Sequence, residues 1–459
     1  MYADDTIAAV ATPPGPGGVG IIRVSGPLSP AIASRVFSPR RESPRWTSHH
    51  LYHGRVIDAD GGVLDEGLAV LMHRPRSYTG EDVLELHCHG APVLLQRILA
   101  CVLRCGARLA EPGEFTKRAF LNGRIDLMQA EAVLDLVRAR TIAGAALATQ
   151  QLGGRLSEHL AGLRSQLVGL KALLETQIDF CEEDVVVSAE QLLSAADHCI
   201  VTIQDLINTF SHGRWLREGL RVAIIGKPNV GKSSLLNALL GEDRAIVTPL
   251  AGTTRDSIDE TVDFEGVPVV LTDTAGLREP AKVGAVERLG IARTTAKIAA
   301  SEVLLTVLDA SAPLDSEDDA VLKAAAGTPQ IIVLNKTDLP EGISEDELQR
   351  AGAGRPIVAV SAKERLGLSA LRQAVVAQVS CGNGFDASGP ILTNIRHSDA
   401  LEKARNSLML ARESISEARP ADLIAVDVQD AIDHIGEVTG GITSEEVLDQ
   451  IFSAFCIGK

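Results

Sequence analysis

No apolar run in the 459-residue sequence approaches the roughly 20 residues needed to cross a bilayer. The chain also does not open on a basic-then-apolar signal segment, so a cytoplasmic location without membrane contact is expected. A disulfide framework is missing too: the seven cysteines are scattered and none forms a C-x-x-C pair. Cys101 and Cys105, four apart, read as one buried helix face. His87-Cys88-His89 invites a metal reading, but in a strand the two histidines share a face and nothing nearby completes a site. Positive charge is in deficit, with 44 Lys and Arg against 60 Asp and Glu and a net charge of −16. That balance argues against a general nucleic-acid binder, because neutralising phosphates needs a basic field. The densest basic cluster, Arg40, Arg41 and Arg45, lies among prolines and serines and reads as a solvated loop.

The chain is too long for one hydrophobic core and should divide into two to four domains. Its 45% apolar and 23% charged residues are those of an ordinary globular protein. Residues 1–120 mix short β-type runs (Thr6 to Ala11, Gly20 to Val24, Gly67 to Met72, Asp82 to His87) with one helix from Pro92 to Cys105, predicting an α+β domain. From Leu156 the apolar positions Leu156, Leu160, Leu163, Leu167, Leu170 and Leu174 repeat in a 4-3-4-3-4 pattern. That is a long amphipathic helix packing within the chain. Between Leu220 and about Val379, β-branched strands alternate with helices, predicting a parallel α/β sheet, and the stretch from Cys381 to Pro390 reads as a linker. Helical periodicity returns at Leu401, Ala404, Leu408, Ala411 and Ile415, then at Ile424, Val428, Ala431 and Ile435. Helices on both sides of an α/β unit point to insertion of that unit into a helical domain. The expected boundaries are 1–120, a helical part 121–217, an α/β domain 218–380 and a second helical part 381–459.

The strand Arg221 to Ile225 runs into Gly226-Lys-Pro-Asn-Val-Gly-Lys-Ser233, a full phosphate-binding loop match, and a helix pattern follows. Its glycines let the backbone wrap phosphates at a helix N-terminus. Lys232 should reach the β- and γ-phosphates, and the Ser233 hydroxyl should ligate Mg²⁺. Four shorter motifs follow in order. Gly252-Thr-Thr-Arg-Asp256 supplies a threonine for magnesium and the γ-phosphate. Asp273-Thr-Ala-Gly276 follows a strand and puts Asp273 behind the metal. In Asn335-Lys-Thr-Asp338 the Asp338 carboxylate can accept from both N1–H and the 2-amino group of guanine, a donor pair adenine lacks. Ser361-Ala-Lys363 ends the next strand and offers a backbone N–H to guanine O6. Five motifs in order at strand ends specify GTP over ATP. By contrast, Gly15 to Gly20 matches G-x-G-x-x-G but leads into a strand, Ile21 to Val24, so the dinucleotide reading fails.

The resemblance extends beyond that domain. Ala11-Thr-Pro-Pro-Gly-Pro-Gly-Gly-Val-Gly-Ile-Ile-Arg23, Tyr78-Thr-Gly-Glu-Asp-Val-Leu-Glu85, Gly113-Glu-Phe-Thr-Lys-Arg-Ala-Phe-Leu-Asn122 and the terminal Phe455-Cys-Ile-Gly-Lys459 resemble the MnmE (TrmE) family of tRNA-modification GTPases over the whole chain. The resemblance implies an N-terminal domain that binds a formyl-tetrahydrofolate and dimerises, a discontinuous α-helical domain and an inserted Ras-like P-loop G domain. It also implies a homodimer and a flavoprotein partner, MnmG (GidA), in a heterotetramer or larger assembly. With that partner the family builds an aminomethyl-type (carboxymethylaminomethyl) group on C5 of the wobble uridine, position 34, of certain tRNAs. Folate contacts carry over to Arg23, Glu85, Arg124 and Lys459; Arg124 stands where the family commonly has lysine, and the two are not interchangeable. Nucleotide contacts carry over to Asn229, Val230, Gly231, Lys232, Ser233 and Ser234, then to Thr248, Pro249, Leu250, Ala251, Gly252, Thr253 and Thr254. The remainder are Asp273, Thr274, Ala275 and Gly276, with Asn335, Lys336, Thr337, Asp338, Ser361, Ala362 and Lys363.

Catalysis raises a specific problem, because Leu277 stands where Ras-like enzymes place a water-orienting glutamine, and leucine cannot polarise water. The family resemblance supplies potassium beside the phosphates, with ligands mapping onto Asn229, Thr248, Leu250 and Thr253, magnesium on Ser233 and Thr254, and a catalytic glutamate at Glu287. Cys456, fourth from the end of the chain and three residues before Lys459, is a candidate nucleophile, although a small buried hydrophobe is an equal reading. A regulatory GTPase switch that docks ribosomal particles is the alternative function. A folate-binding aminomethyltransferase-like module would explain the N-terminus but not the P-loop.

Overall fold

The computed structural model describes residues 5–40, 46–139, 141–179, 187–242, 259–273, 301–379 and 389–459. These fall into two compact units, one of residues 1–134, 152–160 and 432–459 and the other of 135–151 and 161–431. Arg41 and Arg45 of the basic cluster lie outside the described residues.

The first unit opens with β1 (Ile7–Val10), β2 (Gly17–Ser25), α1 (Ser29–Val36), β3 (Phe37–Pro39), β4 (Leu51–Ile57), β5 (Val63–Met72) and β6 (Val83–Gly90). Helix α2 (Pro92–Arg104), strand β7 (Arg108–Leu109) and helix α3 (Glu114–Leu121) follow. The seven strands form one sheet in the order β3-β4-β5-β6-β2-β1-β7, antiparallel except where β7 joins β1. Helix α2 starts on Pro92, which costs no hydrogen bond at that position, and buries Leu95, Ile98, Cys101 and Val102 at helical spacing. These pack with Ile22, Val24, Leu84 and Leu86 of the central strands in one core. The α+β expectation holds for this unit. Gly15 to Gly20 does lead into strand, with a register shift between Gly17 and Gly20. Strands β3 and β4 escape the sequence reading; in β4 the buried positions do alternate, but one of the two is Gly54 and only Val56 carries a buried side chain. The unit also contains α4 (Leu127–Arg138) up to residue 134, and it is completed by a second core in which Leu127, Ala130 and Leu134 meet Leu448, Phe452 and Phe455 from the C-terminal end.

Helices α5 (Ile142–Leu152), α6 (Arg155–Asp179) and α7 (Ala189–Glu218) follow in the chain. All six leucines of the expected seam lie in α6, and each is at most 2% exposed. The α/β sheet of the second unit comprises β8 (Leu220–Ile225), β9 (Asp259–Phe264), β10 (Val267–Asp273), β11 (Val303–Asp309), β12 (Gln330–Asn335) and β13 (Ile357–Ala359). Its order is β13-β12-β11-β8-β10-β9, parallel except for the β9 edge. Helices α8 (Lys232–Glu242), α9 (Ser316–Ala324), α10 (Glu345–Gly352) and α11 (Leu368–Val379) accompany it. Then come α12 (Ile395–Ser416), α13 (Ala421–Thr439) and α14 (Glu445–Ser453). The returning periodicity is real: Leu401, Ala404, Leu408, Ala411, Ile424, Val428 and Ala431 are all buried.

The entrance to the α/β sheet and its exit are stapled together. Thr209 Oγ1 of α7 accepts from Leu392 N at 3.0 Å, and Gln151 Nε2 donates to Ile391 O at 3.2 Å and Thr393 Oγ1 at 3.0 Å. Gly213 lets α7 touch the returning backbone, since a Cβ there would lie 1.9 Å from Leu392 O. In the last turn of α7, Arg214 and Trp215 donate to one oxygen of Glu302, at the head of β11, while its other oxygen accepts from Arg221 N. Gly→Ala inside a helix ordinarily gains about 1 kcal/mol. Gly213→Ala should instead lose at least about 1 kcal/mol, because the obstructing atom is backbone and cannot rotate away. Urea midpoints of the two proteins decide the sign.

Candidate functional site

The described motif loops, 226–231, 335–338 and 361–363, converge at the carboxyl ends of parallel strands, where open α/β sheets bind ligands. Buried β8 runs into the loop 226–231, and α8 begins at Lys232. Two of the loop's glycines are required by close approach and positive φ. Gly226 sits at φ 151 with a Cβ position 2.5 Å from Val307 O, and Gly231 sits at φ 97 with one 2.2 Å from Asn335 Nδ2. Between them Asn229 is exposed and left-handed at φ 66, while Val230 is buried. Ser233 and Ser234 are exposed in the first turn of α8, where backbone N–H groups and the helix dipole favour an anion. Lys232 Nζ lies along the loop, donating to Gly226 O at 2.9 Å and Lys227 O at 2.7 Å.

Three loops are tied by one buried amide. Asn335 Nδ2 donates to Val230 O at 2.8 Å, and its Oδ1 accepts from Ala362 N at 3.0 Å. Lys336, at φ 68, pairs with Asp309 Oδ2 at 2.6 Å, and Thr337 N donates to Val360 O at 3.3 Å. Asp338 Oδ1 accepts the Ser361 hydroxyl at 2.6 Å, and Lys363 Nζ stands 4.0 Å from its other oxygen. The Ser361 hydrogen bond, with Lys363 and Lys336 nearby, holds the Asp338 carboxyl below the usual range, so it is an acceptor at neutral pH. Asp273 ends β10 opposite Ile224 in the ladder. Thr248, Pro249, Leu250, Ala251, Gly252, Thr253 and Thr254 lie outside the described residues, as do Thr274, Ala275, Gly276, Leu277 and Glu287.

A second constellation forms in the first unit. The antiparallel register of β2 and β6 sets Arg23 opposite Glu85, and Arg23 Nε meets Glu85 Oε1 at 2.9 Å. Each side chain is 16% exposed, so this is not a solvated surface pair. His87 Nε2 lies 3.3 Å from Glu85 Oε2, and the Arg23 guanidinium stacks over Tyr78 and Phe115 at 5.3 and 5.7 Å. The C-terminus closes the group: Arg23 Nη1 donates to Gly458 O at 3.2 Å. Burial depresses the Lys459 ammonium pKa, and nearby Arg23 adds to the depression. Burial alone would raise the Glu85 carboxyl, but the His87 hydrogen bond and the Arg23 charge outweigh it and lower it. Three of the four expected folate residues thus come together. Arg124 instead donates to Ser77 O at 3.1 Å, bracing the loop that carries Tyr78. Cys456 is exposed, so it is not a buried hydrophobe. His89 is bound to Asp65 through Nδ1 at 2.8 Å, and His87 to Glu85, so the two histidines serve different partners.

Tyr78, Phe115 and His87 were not singled out for this site from sequence. The first two lie inside the quoted motifs, but the spacing of 37 residues between them carries no signal of contact.

Models of two families match the chain: a GTP-binding protein TrmE N-terminus over residues 6–124 and an MnmE helical domain over 127–456. Relatives described as tRNA modification GTPase MnmE align from end to end. Those of Geobacter sulfurreducens and Geobacter metallireducens are each 47% identical over the whole of both chains. That of Natranaerobius thermophilus is 43% identical over 99% of this chain and all of its own. The chain belongs to the MnmE family. These full-length relatives align across the segments that carry both constellations.

The depressed Glu85 carboxyl makes the Arg23 pair worth most above the ordinary glutamate pKa of about 4.3, and its contribution is lost as pH falls through the lower folded value. Arg23→Met should therefore cost about 1.5–3 kcal/mol at neutral pH, and the loss should shrink as pH falls toward that range. Urea unfolding of both proteins across this pH span checks it; a pH-independent loss would rule the pairing out as its cause.

Proposed function

We propose that this MnmE-family chain hydrolyses GTP in its α/β domain and couples that reaction to modification of C5 of the wobble uridine in certain tRNAs. The modification adds a carboxymethylaminomethyl-type group, with a tetrahydrofolate one-carbon unit and a flavoprotein partner of the MnmG type. The observation carrying the GTP reading is the joined set of loops: one buried amide, Asn335, ties the phosphate loop to the loop bearing Ser361 and Ala362, with Asp338 held as an ionised acceptor beside them. A carboxylate so placed accepts two hydrogen bonds from guanine, while Lys232 and the loop N–H groups receive the phosphates. The ribosome-docking alternative is not favoured, since the full-length relatives are described as tRNA modification GTPases.

For the metals, Ser233 with Thr254 would hold magnesium, and Asn229 with Thr248, Leu250 and Thr253 would hold potassium. Ser233 and Asn229 fit, both being exposed polar side chains on the loop. When bound, these cations neutralise charge developing on the phosphates. Glu287 is the proposed water-orienting base in place of the absent glutamine. In the first unit Glu85 suits the amino and ring N–H groups of a pterin, and Arg23 and Lys459 suit its carboxylates or formyl oxygen. Tyr78 and Phe115 hold the Arg23 guanidinium over their rings and so fix its orientation. A homodimer through the N-terminal domain, paired G domains and a role for Cys456 in the tRNA chemistry complete the proposal.

Wobble-uridine nucleoside analysis of tRNA tests the whole reading. Cells lacking the chain should lose the modified nucleoside and regain it with the wild type. Asp338→Asn should fail to restore it, and the purified variant should prefer xanthosine over guanosine triphosphate, because a 2-oxo group replaces the amino donor. Unchanged nucleosides in the deletion strain would remove the tRNA function.

GTPase rates in potassium and sodium at equal ionic strength test the cation. Potassium should be faster, by roughly 10³–10⁵-fold if it substitutes fully for an arginine finger. The left-handed Asn229 backbone makes glycine the clean replacement, since alanine there costs roughly 1–2 kcal/mol. Asn229→Gly should abolish the potassium advantage while GTP binding persists; equal wild-type rates in the two salts exclude the mechanism.

A further inference from the structure

Lys227, the second residue of the phosphate loop, has no part in the assignments above. Its ammonium is gripped by two carboxylates, Asp318 Oδ2 at 2.7 Å and Asp315 Oδ2 at 2.8 Å. Asp315 is the N-cap of α9. Its Oδ1 accepts from Glu317 N and Asp318 N, and Asp318 answers in a capping box. The cap is therefore rigid before Lys227 reaches it. The Asp318 side chain is 2% exposed, and its buried Oδ1 has no hydrogen-bond partner among the described residues. A carboxylate in that position depends on a cation, and removing the partner of a buried pair is far costlier than losing a surface one.

The same stretch of chain holds the loop from two sides. β11 wedges Gly226 through Val307 O, and α9, which follows β11, holds Lys227. The backbone carbonyls of these two residues are the atoms on which Lys232 Nζ rests. We propose that Lys227 is a positioning residue for nucleotide binding: clamped to Asp315 and Asp318, it fixes the Gly226 and Lys227 carbonyls that aim the Lys232 ammonium at the phosphates. An ammonium on a flexible four-carbon stem gains directional precision only from such fixed acceptors. The proposal rests on reading the 226–233 loop as the phosphate cradle. It adds that the cradle's first turn is held in place by the α9 cap.

The test uses the full chain, with fluorescent GDP and GTP analogues for binding and steady-state GTPase assays. Lys227→Met removes the clamp but strands Asp318, so the double variant Lys227→Met/Asp318→Asn removes the clamp without a stranded charge. Both should bind GDP and GTP about tenfold more weakly, which corresponds to about 1.4 kcal/mol. KM for GTP should rise by the same factor while kcat stays within about twofold. Lys227→Arg, which can reach both carboxylates, should restore affinity. Wild-type affinity in the folded double variant overturns the proposal, as does failure of arginine to rescue, or a fall in kcat at unchanged KM. A wild-type chain that binds neither nucleotide removes the cradle reading itself, and the clamp with it.

Discussion

The Asn335 amide is 2% exposed, so it has no water to fall back on, and both of its ends are committed to backbone groups of other loops. A buried amide left half-satisfied costs about 1–3 kcal/mol. The arrangement is therefore close to all-or-none: the phosphate loop at Val230, the β12 end at Asn335 and the loop at Ala362 hold their relative positions together. The glycine at 231 is the steric counterpart, since any side chain there would occupy the Asn335 amide's place. Everything proposed about base recognition follows from that staple, because Asp338 lies three residues beyond Asn335 and Ser361 one before Ala362. The α9 clamp on Lys227 acts in the same sense at the loop's other end.

In the first unit the governing contact is electrostatic and equally enclosed. Arg23 is shared among Glu85, two aromatic rings and the carbonyl of Gly458, so strand, loop, helix and C-terminus meet on one guanidinium. Gly458 permits this because a Cβ there would lie 2.4 Å from Val10 O, which presses the last residues against β1. Beneath them the core of Leu127, Phe452 and Phe455 anchors the C-terminal segment. Segments from both ends of the chain thus meet in one polar cluster around Arg23.

The motif-bearing loops were legible because their chemistry is local. A phosphate loop needs glycines, lysine and serine at fixed spacing between a strand and a helix, and residues 220–242 provide all of it in one stretch. The α6 seam was legible for the same reason, since one helix face repeats its apolar residues at a period that nothing else explains. Strand β4 was hidden because its two buried positions are Gly54 and Val56, so a single apolar side chain marks the inward face.

Sequence by itself determined the nucleotide class, the strand-and-helix order of the α/β sheet, and the candidacy of Arg23, Glu85 and Lys459. The first two follow from residue type and short-range spacing, which survive without coordinates, and the third from the family resemblance alone. Tertiary structure alone decided that Arg124 braces the Tyr78 loop, that Tyr78 and Phe115 flank Arg23, and that Lys227 pairs with a buried aspartate 91 residues away. Those are contacts between distant segments. Their partners are set by strand register and by which polar atoms burial leaves unsatisfied, and neither quantity has a period in the sequence.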